Sequence, residues 1–410
     1  MNITVVGGGN IGTQFAVHCA EKGHPVTMFT SGPEHFSQHL TIVDQDGSVL
    51  HEGDICCATS DPQKAFRGAD MIMITMPPTM MIPLSEIIFD NTDSHTMIGF
   101  VPGNGGFELA FRKCIERGNV FFGIDRVPAI ARLTGRGESV CCSGYKDKLY
   151  VAALPSKHTE KCASLIESIY DIPCVRLPGF MALTLTPSNP ILHTARLRVI
   201  FRDYKPGVTY DSLPLFYEDW DDESSELLLA CDREIEEICR ALPDFGLQYV
   251  VSERDFYNAE TASEMTLAIS TEESLLDLST PSVSANAAEV VCRGQSGLRT
   301  RRKQKKERIE SHMARIAKWR DGRRDRCSGE TECAALKRAL IPDLHSRYFT
   351  ADFPYGLSVI QQIGCIAGVD MQNIESLLEW YDDIAVVNDR LYLSDFGISS
   401  MEDLRAFYLK

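Results

Sequence analysis

The chain has 410 residues, of which 44% are hydrophobic and 24% are charged, and its formal net charge is −16. This length predicts two domains, and the acidic balance argues against general binding of the protein body to nucleic acid or to an anionic membrane. No apolar stretch is long enough to span a bilayer, and none of the 14 cysteines forms a CxxC pair. We therefore expect a cytoplasmic protein without a signal peptide, with reduced cysteines and without a metal site.

A glycine-rich turn follows the first apolar run. Ile3–Val6 reads as a strand, Gly7–Gly12 has the spacing GxGxxG, and a helical pattern continues to Lys22. In such a turn the first glycine allows a tight bend, the second lets the backbone approach a pyrophosphate, and the third lets the helix pack on the strand. The alternative is a tight turn without a ligand. We predict a dinucleotide-binding βαβ unit that holds its cofactor through Gly7, Gly9, Asn10, Ile11 and Gly12.

The end of the predicted second strand, Pro25–Thr30, carries information about the cofactor. NAD-binding units usually have an acidic residue here, which accepts hydrogen bonds from the ribose hydroxyls. This chain has Thr30 and Ser31 instead, with His35 as the nearest basic residue. The two hydroxyls can donate to a 2′-phosphate, and no carboxylate is present to repel it, which favours NADP over NAD. The choice between the two cofactors stays open.

Two further apolar strands, Met71–Thr75 and Thr96–Val101, are predicted to end at the edge where the cofactor lies. We expect Pro77, after the first of them, and Asn104, in the glycine-rich turn after the second, to line the cofactor. The turn around Asn104 is equally compatible with an ordinary entry into a helix. The later strands of this half are predicted at Val120–Gly123, Ser139–Ser143, Leu149–Ala153 and Cys174–Leu177, with Gly144–Lys148 as a hairpin turn.

From Met181 the pattern becomes helical. The predicted helices are Leu183–Phe201, Glu223–Ala241, Asp352–Ala367 and Ile374–Trp380. The fold class is therefore α/β. A Rossmann-type dinucleotide-binding domain (residues 1–180) precedes an all-helical domain (residues 181–410), and the active site is expected in the cleft between them.

One segment breaks the acidic composition. Residues 299–326 hold 13 Lys and Arg against 4 Asp and Glu, within an apparent insertion at about 280–335 that begins with a predicted loop, Ser279–Ala288. The first interpretation is a solvated insertion, with Ile309 to Trp319 at helical spacing. The second is a site for nucleic acid, an acidic lipid surface or an acidic partner, and the third is a clamp over an anionic substrate or cofactor. We expect no nucleic-acid binding.

Three side chains are candidates for catalysis. Hydride transfer needs a group that moves a proton, and His193, in the long helical region, suits that task. Asp352 is suited to accept a hydrogen bond from its other ring nitrogen, and Arg347 has the planar fork that matches a carboxylate. The alternatives are a buried core histidine, a helix N-cap at Asp352 before Pro354, and a surface arginine.

Several motifs occur together in a specific order. They are the start Gly7–Gly12, the turn Val101–Gly106, the stretch Asp125–Arg132, Asn189-Pro190-x-x-His193, the segment Arg347–Gly356 and the region Leu391–Tyr408. In this combination the chain resembles opine dehydrogenases of the octopine/nopaline type, over nearly its whole length except about 280–335.

The resemblance implies an N-terminal dinucleotide domain and a helical opine dehydrogenase domain of the 6-phosphogluconate dehydrogenase-like kind. It implies an oxidoreductase that condenses an amino acid with a 2-oxo acid and reduces the imine with NAD(P)H. By the same resemblance His193 is the catalytic acid/base, Asp352 is its partner and Arg347 binds a substrate carboxylate. The oligomeric state stays open, and a homodimer is one of the states considered.

Two other functions stay open. A 2-oxo-acid or ketopantoate-type reductase has a similar architecture but commonly relies on a lysine base, and Met181–Arg202 contains no lysine. A non-catalytic, nucleotide-responsive binding protein would bind the cofactor without turnover.

Overall fold

The structure is a computed structural model that describes residues 1–272, 278–284, 339–385 and 390–409. The basic segment 299–326, and with it the predicted helical spacing from Ile309 to Trp319, lies outside these residues. Within the described part of the chain, no helix is long and apolar enough to cross a membrane.

The strands form three sheets. They are β1 (Ile3–Val6), β2 (Val26–Phe29), β3 (His39–Val43), β4 (Val49–Asp54), β5 (Cys57–Thr59), β6 (Met71–Ile74), β7 (Met97–Phe100), β8 (Phe121–Ile124), β9 (Ile130–Gly135), β10 (Ser139–Ser143), β11 (Leu149–Leu154), β12 (Cys174–Arg176), β13 (Ser282–Ser284) and β14 (Leu340–Pro342).

The helices follow in chain order, with several short 3-10 turns between them. They are α1 (Asn10–Glu21), α2 (Pro62–Phe66), α3 (Met81–Asn91), α4 (Phe107–Ala110), α5 (Arg112–Arg117), α6 (Thr159–Tyr170), α7 (Met181–Thr184), α8 (Ser188–Ile200), α9 (Asp222–Ala241), α10 (Glu253–Tyr257), α11 (Ala262–Ser270), a π-helix (Tyr348–Leu357), α12 (Ser358–Ile366), α13 (Gln372–Ile384) and α14 (Met401–Tyr408).

The main sheet has eight strands in the order β12-β11-β8-β7-β6-β1-β2-β5. All neighbours are parallel except β11 and β8. All four residues of β1 are buried, as expected for a strand covered on both faces. The chain passes from β1 to β2 on one side and later to β6 on the other, so the crevice at the carboxyl ends of these strands is the expected ligand site of a doubly wound sheet. The predicted N-terminal Rossmann-type fold is confirmed.

A second sheet, in the order β4-β3-β10-β9, covers the other side of α1. This sheet corrects one prediction. Gly144–Lys148 is not a hairpin turn, because β10 pairs with β3 and β9 while β11 belongs to the main sheet. Alternating residues predicted both strands, but alternation does not identify a strand's partner.

The helical half differs from the prediction in two places. The predicted helix Leu183–Phe201 is divided into α7 and α8 around Pro187, and Ser188 at the start of α8 has a φ of +40°. The predicted loop Ser279–Ala288 contains β13, which pairs with β14. The helical character of this half is confirmed, and the domain boundary at residues 180 and 181 stays a prediction.

Candidate active site

The turn from β1 into α1 is shaped by close backbone packing at two glycines. Gly7 has a φ of +106°, and a Cβ on Gly12 would lie 1.7 Å from the Gly7 carbonyl oxygen. A Cβ on Gly9, by contrast, would meet no atom within 4 Å in the described structure. Gly7 and Gly12 are therefore needed for the turn itself, whereas Gly9 leaves open space beside the backbone.

The start of α1 fits an anionic ligand. The helix begins without a capping side chain and has no acidic residue in its first turn, so its first N–H groups remain available to a pyrophosphate. The side chain of Asn10 has another role, since its Oδ1 accepts from the backbone N–H of Leu133 at 3.0 Å and ties α1 to β9. Ile11 is half-buried next to it.

At the end of β2, Thr30 is half-buried and Ser31 is exposed. Thr30 Oγ1 lies 3.5 Å from the Gly32 backbone nitrogen. The structure adds a basic residue that the sequence analysis missed: a Cβ on Gly32 would lie 2.8 Å from Nη2 of Arg136. His35 is therefore not the only basic side chain at this strand end.

Arg136 reaches this position because the turn between β9 and β10 packs on the residues that follow β2. The Gly137 carbonyl accepts from the Ser37 backbone N–H at 2.8 Å, and a Cβ on Gly137 would lie 2.0 Å from the His35 carbonyl oxygen. Residues 32 and 136 are far apart in sequence, so no local pattern indicated their contact.

The turns after β6 and β7 meet the π-helix of the second half. Pro77 is exposed, and the short turn that follows it, Pro78–Met80, packs against the π-helix. Asn104 is half-buried in the turn after β7, and a Cβ on the neighbouring Gly105 would lie 3.9 Å from the backbone nitrogen of Gly356. The predicted nicotinamide end of the cofactor site thus adjoins the helix that carries Asp352.

His193, on α8, is 1% exposed, and both of its ring nitrogens have partners. Nδ1 lies 2.7 Å from Oδ2 of Asp352, and Nε2 lies 2.7 Å from the hydroxyl of Tyr217. Because a carboxylate only accepts, Nδ1–H donates to Asp352 and neutral Nε2 accepts from Tyr217. Burial lowers the pKa of His193, Asp352 opposes that shift, and the positive charge of Arg347 adds to it.

Asp352 lies inside the π-helix and not at a helix N-cap, because the helix begins at Tyr348. Pro354 occurs within this helix, where it can donate no backbone hydrogen bond. The π-helix packs closely on α8, since a Cβ on Gly356 would lie 2.6 Å from Cγ of Pro190. This contact brings Asp352 to His193 across 159 residues of sequence.

Arg347 immediately precedes the π-helix and is exposed. Its guanidinium carbon lies 5.4 Å from the centre of the Tyr348 ring, and that ring lies 4.3 Å from the imidazole of His193. Within the described ranges, Arg347 has no carboxylate within 4 Å, so its fork is available to a ligand. The structure therefore brings His193, Asp352 and Arg347 together.

Tyr217 is the second residue that sequence reasoning missed. Burial raises its pKa well above the usual tyrosine value, so the hydroxyl keeps its proton. Its loop is held by the buried Arg196, which donates through Nε to the Phe216 carbonyl at 3.0 Å and pairs through Nη1 with Asp221 at 2.7 Å. The loop has no helical or strand period, so nothing in the sequence indicated this position.

Two family models match parts of both halves of the chain. A family model described as the alpha-helical domain of NAD/NADP octopine/nopaline dehydrogenase matches residues 176–385. A model described as the N-terminus of NAD-dependent glycerol-3-phosphate dehydrogenase matches residues 2–100.

Two curated relatives and one solved structure extend the likeness. The chain is 30% identical over 260 residues to the uncharacterized protein y4xO of Sinorhizobium fredii, covering 59% of this chain and 68% of that protein. It is 22% identical over 429 residues to octopine dehydrogenase of Mizuhopecten yessoensis, covering 98% and 94%. A structure of octopine dehydrogenase with NADH and L-arginine has a TM-score of 0.74 at 18% identity, covering 98% and 97%, which shows a shared fold.

The family model for the helical domain spans half of the chain, and the N-terminal sheet carries the dinucleotide-binding turn. The chain therefore belongs to the NAD/NADP octopine/nopaline dehydrogenase family and is an NAD(P)-dependent oxidoreductase.

Proposed function

We propose that this enzyme condenses the amino group of an amino acid with a 2-oxo acid and reduces the resulting imine, which yields a secondary-amine dicarboxylate. The observation that carries the proposal is the pair of the buried His193 and the half-buried Asp352, 2.7 Å apart, with the Arg347 fork beside it, which pairs with no carboxylate among the described residues. The likeness to octopine dehydrogenase supports the same class of reaction.

In this proposal His193 moves the protons. Imine formation releases one water, and reduction of the imine adds one hydride and one proton, so both stages need an acid/base at the reacting atoms. Burial lowers the pKa of His193, which favours the neutral imidazole that can take a proton. Asp352 fixes the tautomer and stabilises the imidazolium that forms.

The path of the proton runs through Tyr217. Nε2 of His193 faces the Tyr217 hydroxyl, and the imidazole itself is almost fully buried. In the proposal the imidazolium donates Nε2–H to the Tyr217 oxygen while the Tyr217 O–H donates to the substrate. The hydroxyl gives up one proton and receives another, so it remains neutral throughout.

The N-terminal half would hold NAD(P)H, which supplies the hydride when bound. The open space at Gly9 and the uncapped start of α1 suit the pyrophosphate, and Gly7 and Gly12 keep that turn in shape. Thr30 and Ser31 would face the adenosine ribose. Pro77 and Asn104 would lie at the nicotinamide end, where their turns adjoin the π-helix.

Arg347 would bind a substrate carboxylate. A guanidinium presents two parallel N–H groups to a carboxylate, and this one has no competing carboxylate in the described structure. Its charge is close enough to lower the pKa values of both His193 and Tyr217. A carboxylate held here therefore lies beside the proton path.

The test is a two-substrate panel. Oxidation of NADH and of NADPH is followed with 2-oxo acids, with and without each amino acid, and the product is identified by mass spectrometry. We expect oxidation that depends on both substrates and a product with the mass of the secondary amine. His193→Asn is expected to abolish turnover, and His345→Asn, at an exposed histidine, serves as the matched control.

Two results would contradict the proposal. Oxidation with an oxo acid alone, unchanged by any amino acid, would indicate a 2-oxo-acid reductase. Cofactor binding without turnover across the whole panel would indicate a nucleotide-responsive binding protein.

A further inference from the structure

The residues after β2 and the turn between β9 and β10 form a small polar surface, of which the proposed function uses only Thr30 and Ser31. Nη2 of Arg136 and Cδ2 of His35 would lie 2.8 Å and 3.0 Å from a Cβ on Gly32. Glycine at position 32 therefore allows both basic side chains to approach the main chain, in the place where a carboxylate would favour NAD.

We propose that Arg136, with the hydroxyls of Thr30 and Ser31, binds the 2′-phosphate of NADPH and makes the enzyme prefer NADPH to NADH. This inference rests on the dinucleotide site of the proposed function. It adds a phosphate-binding residue from a strand pair outside the main sheet.

The position of Arg136 supports this role. The side chain is half-buried, and within the described residues it has neither a hydrogen bond nor an ion pair. A partly desolvated guanidinium without an anion has lost water contacts that a phosphate would replace, and a phosphate accepts its paired N–H groups well. A purely structural arginine would be expected to have a carboxylate or carbonyl partner.

The geometry of the turn fixes the main chain at Arg136. Gly137 has a φ of +72°, and its carbonyl accepts from Ser37 on the segment that follows β2. The hydroxyls at the end of β2 complete the surface. Thr30 Oγ1 accepts weakly from the Gly32 N–H, so its own O–H is free to donate, and Ser31 is exposed.

One acidic side chain lies near this surface. Glu34 Oε1 would lie 3.6 Å from a Cβ on Gly32, and it pairs with Nε2 of His35 at 3.2 Å. Glu34 is exposed, so solvent weakens its repulsion of a phosphate. Its removal should therefore strengthen phosphate binding modestly.

The experiment compares adenosine 2′,5′-bisphosphate with 5′-AMP, which differ only in the 2′-phosphate. Calorimetric titration of the full chain should show roughly tenfold to a hundredfold tighter binding of the bisphosphate, the range expected for hydrogen bonds to a charged group. In Arg136→Gln this difference should nearly disappear while the affinity for 5′-AMP is kept. Glu34→Gln should widen it.

Arg67→Gln is the matched control, because Arg67 is an exposed arginine near Asn2 and Asp70, at the amino ends of β1 and β6 and away from the carboxyl ends where the cofactor would lie. It should leave both affinities unchanged. In steady-state assays, Arg136→Gln should raise the KM for NADPH and leave that for NADH as it was. Thermal unfolding of the variant at the wild-type temperature would exclude a folding defect.

Equal affinity of the wild type for the two nucleotides would overturn the inference. An equal decrease of both affinities in Arg136→Gln would also overturn it. Binding of neither nucleotide would also contradict the dinucleotide site and with it the proposed function. Discrimination between the nucleotides without opine formation would contradict only the proposed reaction and leave the phosphate site supported.

Discussion

The hydroxyl of Tyr217 and the Nε2 atom of His193 lie 2.7 Å apart, on the side of the imidazole opposite Asp352. Both ring nitrogens are therefore engaged, and the imidazole has no direct opening to solvent. The hydroxyl has this position because Arg196 holds the neighbouring carbonyl of Phe216. In the proposed path of the proton, Tyr217 connects the histidine to the substrate.

Tyr217→Phe removes that connection. We expect kcat to fall by about a hundredfold with little change in KM, because proton transfer by a positioned group contributes on this order. Tyr210→Phe is the control, since Tyr210 lies in the same loop and its hydroxyl has no partner in the described structure. Wild-type kcat in Tyr217→Phe would show that the proton does not pass through this hydroxyl.

Asp352 and Arg347 are expected to move the pKa of His193 in opposite directions. The carboxylate raises this pKa and the guanidinium lowers it. In the pH profile of kcat/KM, the limb that belongs to His193 should therefore shift to lower pH in Asp352→Asn and to higher pH in Arg347→Gln. If both variants shifted this limb in the same direction, the limb would belong to the titration of a group other than His193.

Asp352→Asn and Arg347→Gln should also change different kinetic parameters. Asp352→Asn removes the partner that fixes the tautomer, so kcat should fall strongly. Arg347→Gln should mainly raise the KM of one substrate, because it removes a carboxylate contact. Activity assays over the same pH series measure both effects.

Gly9→Ala and Gly12→Ala separate binding from folding. Gly9 has φ −93° and ψ −162°, which alanine can adopt, and the added Cβ meets no described atom within 4 Å, so stability should change by less than about 1 kcal/mol. Cofactor affinity should nevertheless fall about tenfold or more, because the methyl group occupies the space left for the pyrophosphate.

Gly12→Ala should instead destabilise the fold by about 3 kcal/mol or more, since its Cβ collides with the Gly7 carbonyl. Denaturant unfolding and cofactor titration of both variants provide the measurements. A stable Gly12→Ala, or tight cofactor binding by Gly9→Ala, would contradict the description of this turn.

Glu108 predicts a pH dependence of stability. It is fully buried, its Oε1 accepts from Thr184 and Tyr408 at 2.6 Å each, and its Oε2 has no partner in the described structure. Burial raises its pKa above the ordinary 4.5. The stability linked to this group is therefore fully present below the unfolded pKa and is lost as the pH rises through the folded one.

Glu108→Gln keeps the acceptor oxygen and removes the charge. The variant should gain stability relative to the wild type as the pH rises from acidic to neutral, and it should show no such gain at acidic pH. Glu379→Gln, at an exposed glutamate on α13, is the control. Denaturant unfolding at several pH values gives the comparison, and a difference that is constant with pH would contradict the prediction.

The sequence allowed the local parts of this molecule to be predicted. The turn Gly7–Gly12, the strands of the main sheet and the helical second half each have a local pattern, and the family resemblance is confirmed. The pairing of His193 with Asp352 was also expected, and the structure brings the two side chains together. Their catalytic roles stay predictions.

The parts that escaped prediction depend on contacts between distant segments. Arg136 reaches Gly32 only because the turn between β9 and β10 packs on the residues that follow β2, and Tyr217 reaches His193 only because Arg196 holds an irregular loop. The dependence on distant contacts also explains why the predicted hairpin turn Gly144–Lys148 is wrong. The local sequence does not determine which strands pair with β10 and β11. The residues of the basic segment 299–326 lie outside the described part of the chain, so its interpretations stay predictions.

The main-chain contact between Gly105 and Gly356 has a consequence for how substrate range can diversify. Because these two glycines meet through main-chain atoms, the separation between the two halves at this point is set by the backbone and not by side-chain volume. In the proposed site, exchanges around Arg347 would change the substrate contacts while the spacing between the two halves stays the same. Bulkier residues at these two glycines would alter that spacing for every substrate at once.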